Sequence, residues 1–449
     1  MRTRAVLLAV VLTMSTSGCW LQAGFGPGRT AYNDLETTIT TANVNRLVHD
    51  WSAVLGSQSA AEPLVDGGAT YVRSAGRLSS FDLATGAARW SVPAGSEDDV
   101  AGGSAAVPAM ADGSLWVPTT GQACTLMQVD PANGATIGTR VYDGLLSRAV
   151  PPEALRFAHC RTGDALASGD WVVVPSTSVA IVDSSFVSGS TCSPGVDSVI
   201  WTARVSVIDV TVQGQGWVLS QESSGCTDSA PPAPPPFQPA STSLSGDQLL
   251  VAQASVVTAY PLVPCAFPQR CPPNRAWSLD VAGQVVGAPV ALSNGDVAVG
   301  RADGLVVVID GDSHAVQWVA PVGPRLSFPL AATPTSIYAV SNDDAATRTV
   351  VSALPTGGCG DGVCEPTWTA TLASNPGGRA SIGGDVLYIP HGQVLSALPA
   401  AGCGSQVCQS LWDGTVATSQ PITGPPVIEN GEVLVGYRNG ELAAFSLPG

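Results

Sequence analysis

Eleven cysteines, four histidines and 35 acidic residues are the groups in this 449-residue chain that could do chemistry. All 19 basic residues are arginine. A Schiff-base lysine, a phosphate-loop lysine and a lysine general base are therefore excluded. His49, His159, His314 and His391 are scattered, and none forms a His-x-x-x-His or glutamate-containing metal motif. They read as structural or exposed. Glu97-Asp98-Asp99 and Asp343-Asp344 could hold a cation in a loop, but solvated loop charge is the commoner role of such clusters. Serine is abundant, yet no Gly-x-Ser-x-Gly elbow is present, so nucleophilic catalysis has no support. On this reading no catalytic, cofactor-binding or metal-binding residue is assigned, and no cofactor is expected.

The cysteines are more informative. Ser15-Thr16-Ser17-Gly18-Cys19 follows an arginine-flanked apolar run, Ala5 to Met14. The run is too short to span a bilayer, and residues 1–18 read as a signal peptide. Small residues before Cys19 resemble a bacterial lipobox, in which the cysteine receives diacylglycerol and becomes the new N-terminus. Thr16 stands where that motif usually has Leu, Val or Ile, so an ordinary signal peptide with an incidental Cys19 is the alternative. Setting Cys19 aside leaves ten cysteines, an even number suited to an oxidising, exported setting.

Three close pairs each precede a tryptophan: Cys265 and Cys271 before Trp277, Cys359 and Cys364 before Trp368, Cys403 and Cys408 before Trp412. Each spans the turn between two strands, where strand ends come within disulfide range. A zinc reading would use each pair as half a site, but half-sites on separate repeats cannot easily meet. Cys124, Cys160, Cys192 and Cys226 remain, with three pairings open. Neighbour pairing, Cys124–Cys160 and Cys192–Cys226, is the expected one.

The elements that carry these groups are strands. Gly and Pro together make up about 19% of the chain, against a usual sum of about 12%. With 45% hydrophobic residues the chain is turn-rich rather than disordered. Pro63 to Val72 reads as strand, turn, strand, and Ser79 to Trp90 adds a strand, a Thr85-Gly86 turn and a tryptophan strand. The plan recurs, with Asp82 to Trp90, Asp209 to Trp217 and Asp310 to Trp318 each eight residues apart. Eight units open near Pro63, Pro108, Leu166, Ala240, Pro289, Pro329, Arg379 and Pro426. The third unit is longer and carries an insertion. About four short strands per unit is the signature of a β-propeller blade.

The eighth unit has room for only three strands, while a spare tryptophan strand, Arg46 to Leu55, precedes the first unit. Trp51 lies twelve residues before Pro63, as Trp277 does before Pro289. The expected fold is therefore all-β, an eight-bladed β-propeller closed by an N-terminal strand that completes the last blade. Closure removes the open edge that would invite aggregation. The expected organisation is a signal peptide at 1–18, a lipid-anchored tether leading into the propeller at 19–45, and the propeller at 46–449. A Pro-rich insertion at about 230–240 reads as an extended connector.

Gly28-Arg29-Thr30-Ala31-Tyr32-Asn33, the stretch Thr38 to Leu47 with Trp51, and Asp82-x-x-Thr85-Gly86-x-x-x-Trp90 resemble the pyrroloquinoline-quinone-type (quinoprotein-like) propellers. The resemblance implies eight blades and blade-docking roles for Trp51, Trp90, Trp217, Trp277, Trp318, Trp368 and Trp412. It does not carry the family's chemistry with it. Quinoprotein alcohol dehydrogenases have adjacent cysteines over the quinone, a calcium-binding acid set and a catalytic aspartate. This chain has no Cys-Cys dipeptide, and no acid maps to that aspartate. The soluble sugar dehydrogenases contact their cofactor through lysine, and there is none here. Non-catalytic relatives include the lipoprotein scaffold of the outer-membrane β-barrel assembly machinery.

The expectation is thus an exported lipoprotein at the outer face of the cell membrane, anchored through Cys19. Its propeller acts as a non-catalytic binding or scaffold module for a protein or cell-wall ligand. The alternatives are a quinone-dependent oxidoreductase with cofactor in the channel, and a glycan-binding or glycan-cleaving propeller. Nucleic acid is excluded as a partner. After loss of Arg2 and Arg4 the chain holds 35 acids against 17 arginines, a net charge of −18, the wrong sign for phosphate contacts.

Overall fold

Val, Ile and Thr at alternating positions, cut every few residues by Gly-containing turns, leave the backbone little option but short antiparallel strands. At the first repeat, Leu64–Asp66 turns through Gly67 and Gly68, both in the left-handed region (φ 54° and 74°), into Ala69–Ser74. Arg77–Asp82 and Ala88–Pro93 complete a four-stranded meander. Every residue of Ala69–Ser74 is buried, whereas none of Ala88–Pro93 is. Burial on both faces marks a strand wedged between neighbouring sheets, and it fades from the axis outward.

The computed structural model describes residues 19–449 except 57–60, 75, 96–105, 144–151, 188–191, 194–195, 212–215, 228–238, 263–273, 361 and 417–419. Residues 1–18, expected to be a signal peptide, lie outside the described residues, as do Cys265 and Cys271, Glu97-Asp98-Asp99 and most of the Pro-rich stretch. No helix among the described residues is long and apolar enough to cross a membrane.

Eight sheets form the blades of an all-β propeller. Their innermost strands are Leu64–Asp66, Ala109–Ala111, Leu166–Ser168, Ser241–Ser245, Val285–Ala291, Ala331–Ala332, Ser381–Gly383 and Val427–Glu429, for blades 1 to 8 in order. The outermost strand of blade 8 is Val48–Val54, antiparallel to Glu441–Ser446, with Val54 opposite Glu441 and Val48 opposite Ser446. Both ends of the propeller chain thus meet in one sheet.

Blade 3 departs from the plan. Its second strand, Trp171–Val182, has 12 residues where Ala69–Ser74 of blade 1 has six. At about 3.3 Å per residue that is an overhang of roughly 20 Å. Leu155–Thr162 pairs along the overhang and Asp197–Asp209 continues it. Cys192–Cys226 and Cys124–Cys160 brace it, each with Cα atoms 5.5 Å apart.

The stretch expected to serve as a tether is largely inside the ring. Trp20, Ala31 and Ile39 are fully buried, and Gln22, Arg29, Asn33 and Glu36 are buried as well. Tyr32–Asn33 pairs in parallel with the innermost strand of blade 7. The physical reason is that this segment's apolar side chains and its amides and carbonyls find partners on the innermost strands, which a solvated tether could not offer.

Candidate functional site

The tryptophan positions show how one blade is seated on the next. Trp51 of blade 8 donates from Nε1 to the Leu83 carbonyl of blade 1 at 2.9 Å, and Trp90 of blade 1 donates to Pro131 O of blade 2 at 3.0 Å. Trp412 of blade 7 donates to Leu47 O at 3.0 Å. Each indole also lies under a turn of the next blade. A Cβ on Gly134, Gly358 or Gly402 would sit 2.6 Å from Trp90, Trp318 or Trp368 respectively. Trp277 stacks on His314, with centroids 5.2 Å apart and planes 16° from parallel. Trp217 meets Tyr260 at 6.3 Å.

The acids of the repeat close those same turns. Asp82 accepts from the Thr85 amide and hydroxyl at 3.1 and 2.9 Å. Asp130 accepts from Ala132 N, and Asp310 from Ser313 N. Hydrogen bonds to the charged form hold Asp82 and Asp310 below the usual carboxylate range, Arg89 contributing most for Asp82 and the Ser313 amide for Asp310. Asp343 and Asp344 pair with Arg348 and Arg325 at 3.0 and 3.7 Å.

Two of the close cysteine pairs are bridged, Cys359–Cys364 and Cys403–Cys408, each with Cα atoms 5.6 Å apart. Their loops do more than cross a turn. Val363 pairs with Val319 of the preceding blade's outermost strand, and Val407 with Thr369. The remaining four cysteines form the neighbour pairs Cys124–Cys160 and Cys192–Cys226. Cys19 lies beside the first turn of blade 1, with its thiol donating to Asp66 Oδ1 at 3.2 Å. Burial and the adjacent Asp66 push that thiol up to about 11.

Towards the axis lies a set of charged groups that the repeats do not announce. Glu62 accepts from Trp20 Nε1 at 2.7 Å and Gly24 N at 2.8 Å, and pairs with Arg379 through both carboxylate oxygens at 2.5 and 2.6 Å. Glu36 accepts from the Thr38, Ile39 and Gly431 amides at 2.6, 3.0 and 2.8 Å. Arg29 donates to the carbonyls of Ala23, Thr242 and Ala165. Burial lowers Arg29 to about 10, so it remains charged at neutral pH. Glu429 accepts from Asn33 Nδ2 at 2.8 Å, and burial together with the nearby Glu36 raises it to about 8. His391 contacts the Ala373 carbonyl and Ser396 Oγ, the latter at 2.8 Å, and burial lowers it. None of these residues belongs to a recurring spacing. Nor does charge single them out, since residues 19–45 hold only Arg29, Asp34 and Glu36, no denser than the 12% charged residues of the whole chain.

These residues do not fit a calcium-bound quinone. Glu62 and Glu36 are held by backbone amides, an indole and a guanidinium, and Glu429 by the Asn33 side-chain amide. Among the described residues no three of His, Cys, Asp and Glu gather as a metal-binding group.

Residues 20–144 match the family model described as outer membrane protein assembly factor BamB. No curated protein matches the chain. Among solved structures, the chain is similar to a europium-containing methanol dehydrogenase, at 13% identity and TM-score 0.65, over 97% of this chain and 99% of that one. It is similar to the quinohemoprotein alcohol dehydrogenase from Comamonas testosteroni at 12% identity and TM-score 0.64, over 96% of this chain and 81% of that one. It is also similar to BamB from Moraxella catarrhalis at 13% identity and TM-score 0.53, over 89% and 99%. At these identities the likeness is one of fold.

Proposed function

We propose that this chain, a PQQ-like repeat β-propeller, is an exported lipoprotein whose ring is a non-catalytic module for binding a protein or cell-wall partner at the membrane's outer face. One observation carries the reading: two carboxylates of the buried central set, Glu62 and Glu36, are engaged by Arg379, Trp20 and backbone amides, and a third, Glu429, by the Asn33 side-chain amide. An acid with its lone pairs so occupied is a poor general base and a poor calcium ligand.

The match to the BamB family model over residues 20–144 supports a protein partner as the ligand class. Cys19 immediately precedes the buried Trp20, beside Asp66 at the turn between the first two strands of blade 1. A diacylglyceryl group there would hold that face of the ring at the bilayer. The second strand of blade 3 starts at the Ser168–Trp171 turn, the counterpart of the blade 1 turn beside Cys19, and runs away from it, so the overhang at its far end would point towards a partner. Two acyl chains on one cysteine suffice for stable tethering.

Cys19→Ala should move the protein from the membrane fraction to the soluble fraction. Retention of the variant in the membrane would remove lipidation from the proposal. Adding pyrroloquinoline quinone and Ca²⁺ to purified protein should give no dye-linked dehydrogenase activity, whereas activity with an alcohol or sugar would replace the scaffold reading with the oxidoreductase. Envelope extracts should yield a stoichiometric partner on the immobilised propeller.

A further inference from the structure

In most antiparallel meanders wrapped about an axis, the inner edge of the innermost strand faces a channel, with amides and carbonyls open to water or a ligand. Here each of the eight innermost edges or first turns donates an amide to one short stretch of chain. Val65 of blade 1 donates to Trp20 O at 2.9 Å, and Met110 of blade 2 to Leu21 O at 2.8 Å. At blade 3 a side chain takes the place of backbone: Ala167 N donates to Gln22 Oε1 at 2.7 Å, while Gln22 Nε2 donates to Ala167 O at 3.1 Å.

The walk then continues in blade order. Leu244 of blade 4 donates to Pro27 O at 2.8 Å, and Ala291 of blade 5 to Gly28 O at 3.0 Å. Ala332 of blade 6 donates to Thr30 O at 2.9 Å, and Ile382 of blade 7 to Ala31 O at 2.8 Å. At blade 8 side chains again bridge the step, Asn33 Nδ2 donating to Ile428 O at 2.9 Å and Gly431 N to Glu36 Oε2 at 2.8 Å. The segment visits all eight blades once, in sequence, within 17 residues.

This course is held under conformational cost. Phe25, Arg29 and Ala31 take positive φ of 71°, 59° and 53°, which non-glycine residues adopt only when surroundings impose it. Arg29, buried at the centre of the segment, ties it across to blades 3 and 4 through the Ala165 and Thr242 carbonyls.

We infer that residues 20–36 are a resident ligand of the propeller channel, satisfying the inner edge of every blade and closing the channel to a quinone or any other small-molecule cofactor. The inference goes beyond the proposed function, because it holds whatever the partner is. It also narrows the ligand: with the axis filled, recognition falls to the two turn faces and the blade 3 overhang, surfaces suited to a macromolecule.

Hydrogen–deuterium exchange on the full mature protein tests it. The amides of Met110, Leu244, Ala291, Ala332 and Ile382 should exchange at least ~1,000-fold more slowly than in an unstructured peptide, in line with the blade cores. Exchange within ~10-fold of the unstructured rate would overturn the inference. Gln22→Ala should speed exchange at Ala167 by ~10-fold or more while leaving Ala332 unchanged. No change at Ala167 would likewise count against a seated segment. In the wild type, pyrroloquinoline quinone with Ca²⁺ should leave exchange across Trp20–Asn33 unaltered, and faster exchange there would show that a quinone displaces the segment. Membrane release and partner capture do not read these amides, so the two proposals fail separately.

Discussion

At Gly86 two constraints meet on one residue. Its φ of 67° lies in the left-handed region, and a Cβ there would fall 2.5 Å from the Trp51 ring. Gly86→Ala should therefore destabilise by about 2–4 kcal/mol, strain and overpacking adding together. Gly113 (φ 66°), with nothing near its would-be Cβ, should lose only about 1 kcal/mol on the same change. Thermal melts of the two variants separate the contributions. At the axis, Glu62→Gln leaves Arg379 buried without its counter-charge, and breaking such a pair costs about 3–5 kcal/mol. Chemical denaturation reads that loss directly.

Glu429 and Glu432 dominate the pH dependence, two raised carboxyls outweighing the single buried His391, whose lowered pKa acts in the opposite sense. Burial raises both from 4.5 to about 8, with Glu36 adding to the first and Asp50 to the second. A raised carboxyl pKa means the folded chain binds more protons than the unfolded chain between those values, so stability falls as pH climbs from about 4.5 to 8. The melting temperature should decline over that window. Glu429→Gln should flatten the decline and stabilise by about 1–2 kcal/mol at pH 8.5, while changing little at pH 4.5.

Among elements, the disulfides divide by the chain they close. The loop-closure relation gives about 2 kcal/mol for a five-residue separation and about 4 kcal/mol for one of 36. Cys403→Ser with Cys408→Ser should thus cost about half of Cys124→Ser with Cys160→Ser in denaturant midpoint, the first bridging positions 5 apart and the second 36 apart. The close pairs were legible because Cys-Gly-x-x-Val-Cys stands directly before a tryptophan strand in two successive repeats. What the loops do was not legible, since Val363 and Val407 pair with strands of the preceding blade through backbone, which leaves no side-chain signature. The blade starts were readable for a related reason: at five of the eight, Pro63, Pro108, Pro289, Pro329 and Pro426, a Pro stands just before a short apolar run, which is local information. The overhang of blade 3 was visible only as extra length between Leu166 and Ala240. The expected tether, residues 19–45, holds Gln22, Asn33 and Glu36, whose burial no local pattern announces. Their partners at Ala167, Ile428 and Gly431 lie up to 395 positions away.

On the scale of the whole molecule, a ring differs from an open repeat array. In a linear solenoid terminal repeats have one neighbour, and stability adds up from nearest-neighbour terms. Here blade 8 is built from both ends of the chain, Val48–Val54 beside Glu441–Ser446, and residues 20–36 join all eight blades at the centre. No blade can open without losing two flanking interfaces and its bond to that segment, so unfolding should be cooperative across the ring. Phe445 tests this at the seam. It is 1% exposed, and its ring meets His49 at 6.0 Å and Trp412 at 5.2 Å, joining the N-terminal strand, blade 7 and blade 8. Phe445→Ala should cost about 3–5 kcal/mol. If the ring unfolds as one unit, tryptophan fluorescence and far-ultraviolet circular dichroism should shift to the same lower midpoint. Two separated midpoints, with the remote blades 4 and 5 unaffected, would instead mean that the blades behave as a linear array and that neither the seam strand nor the central segment couples them.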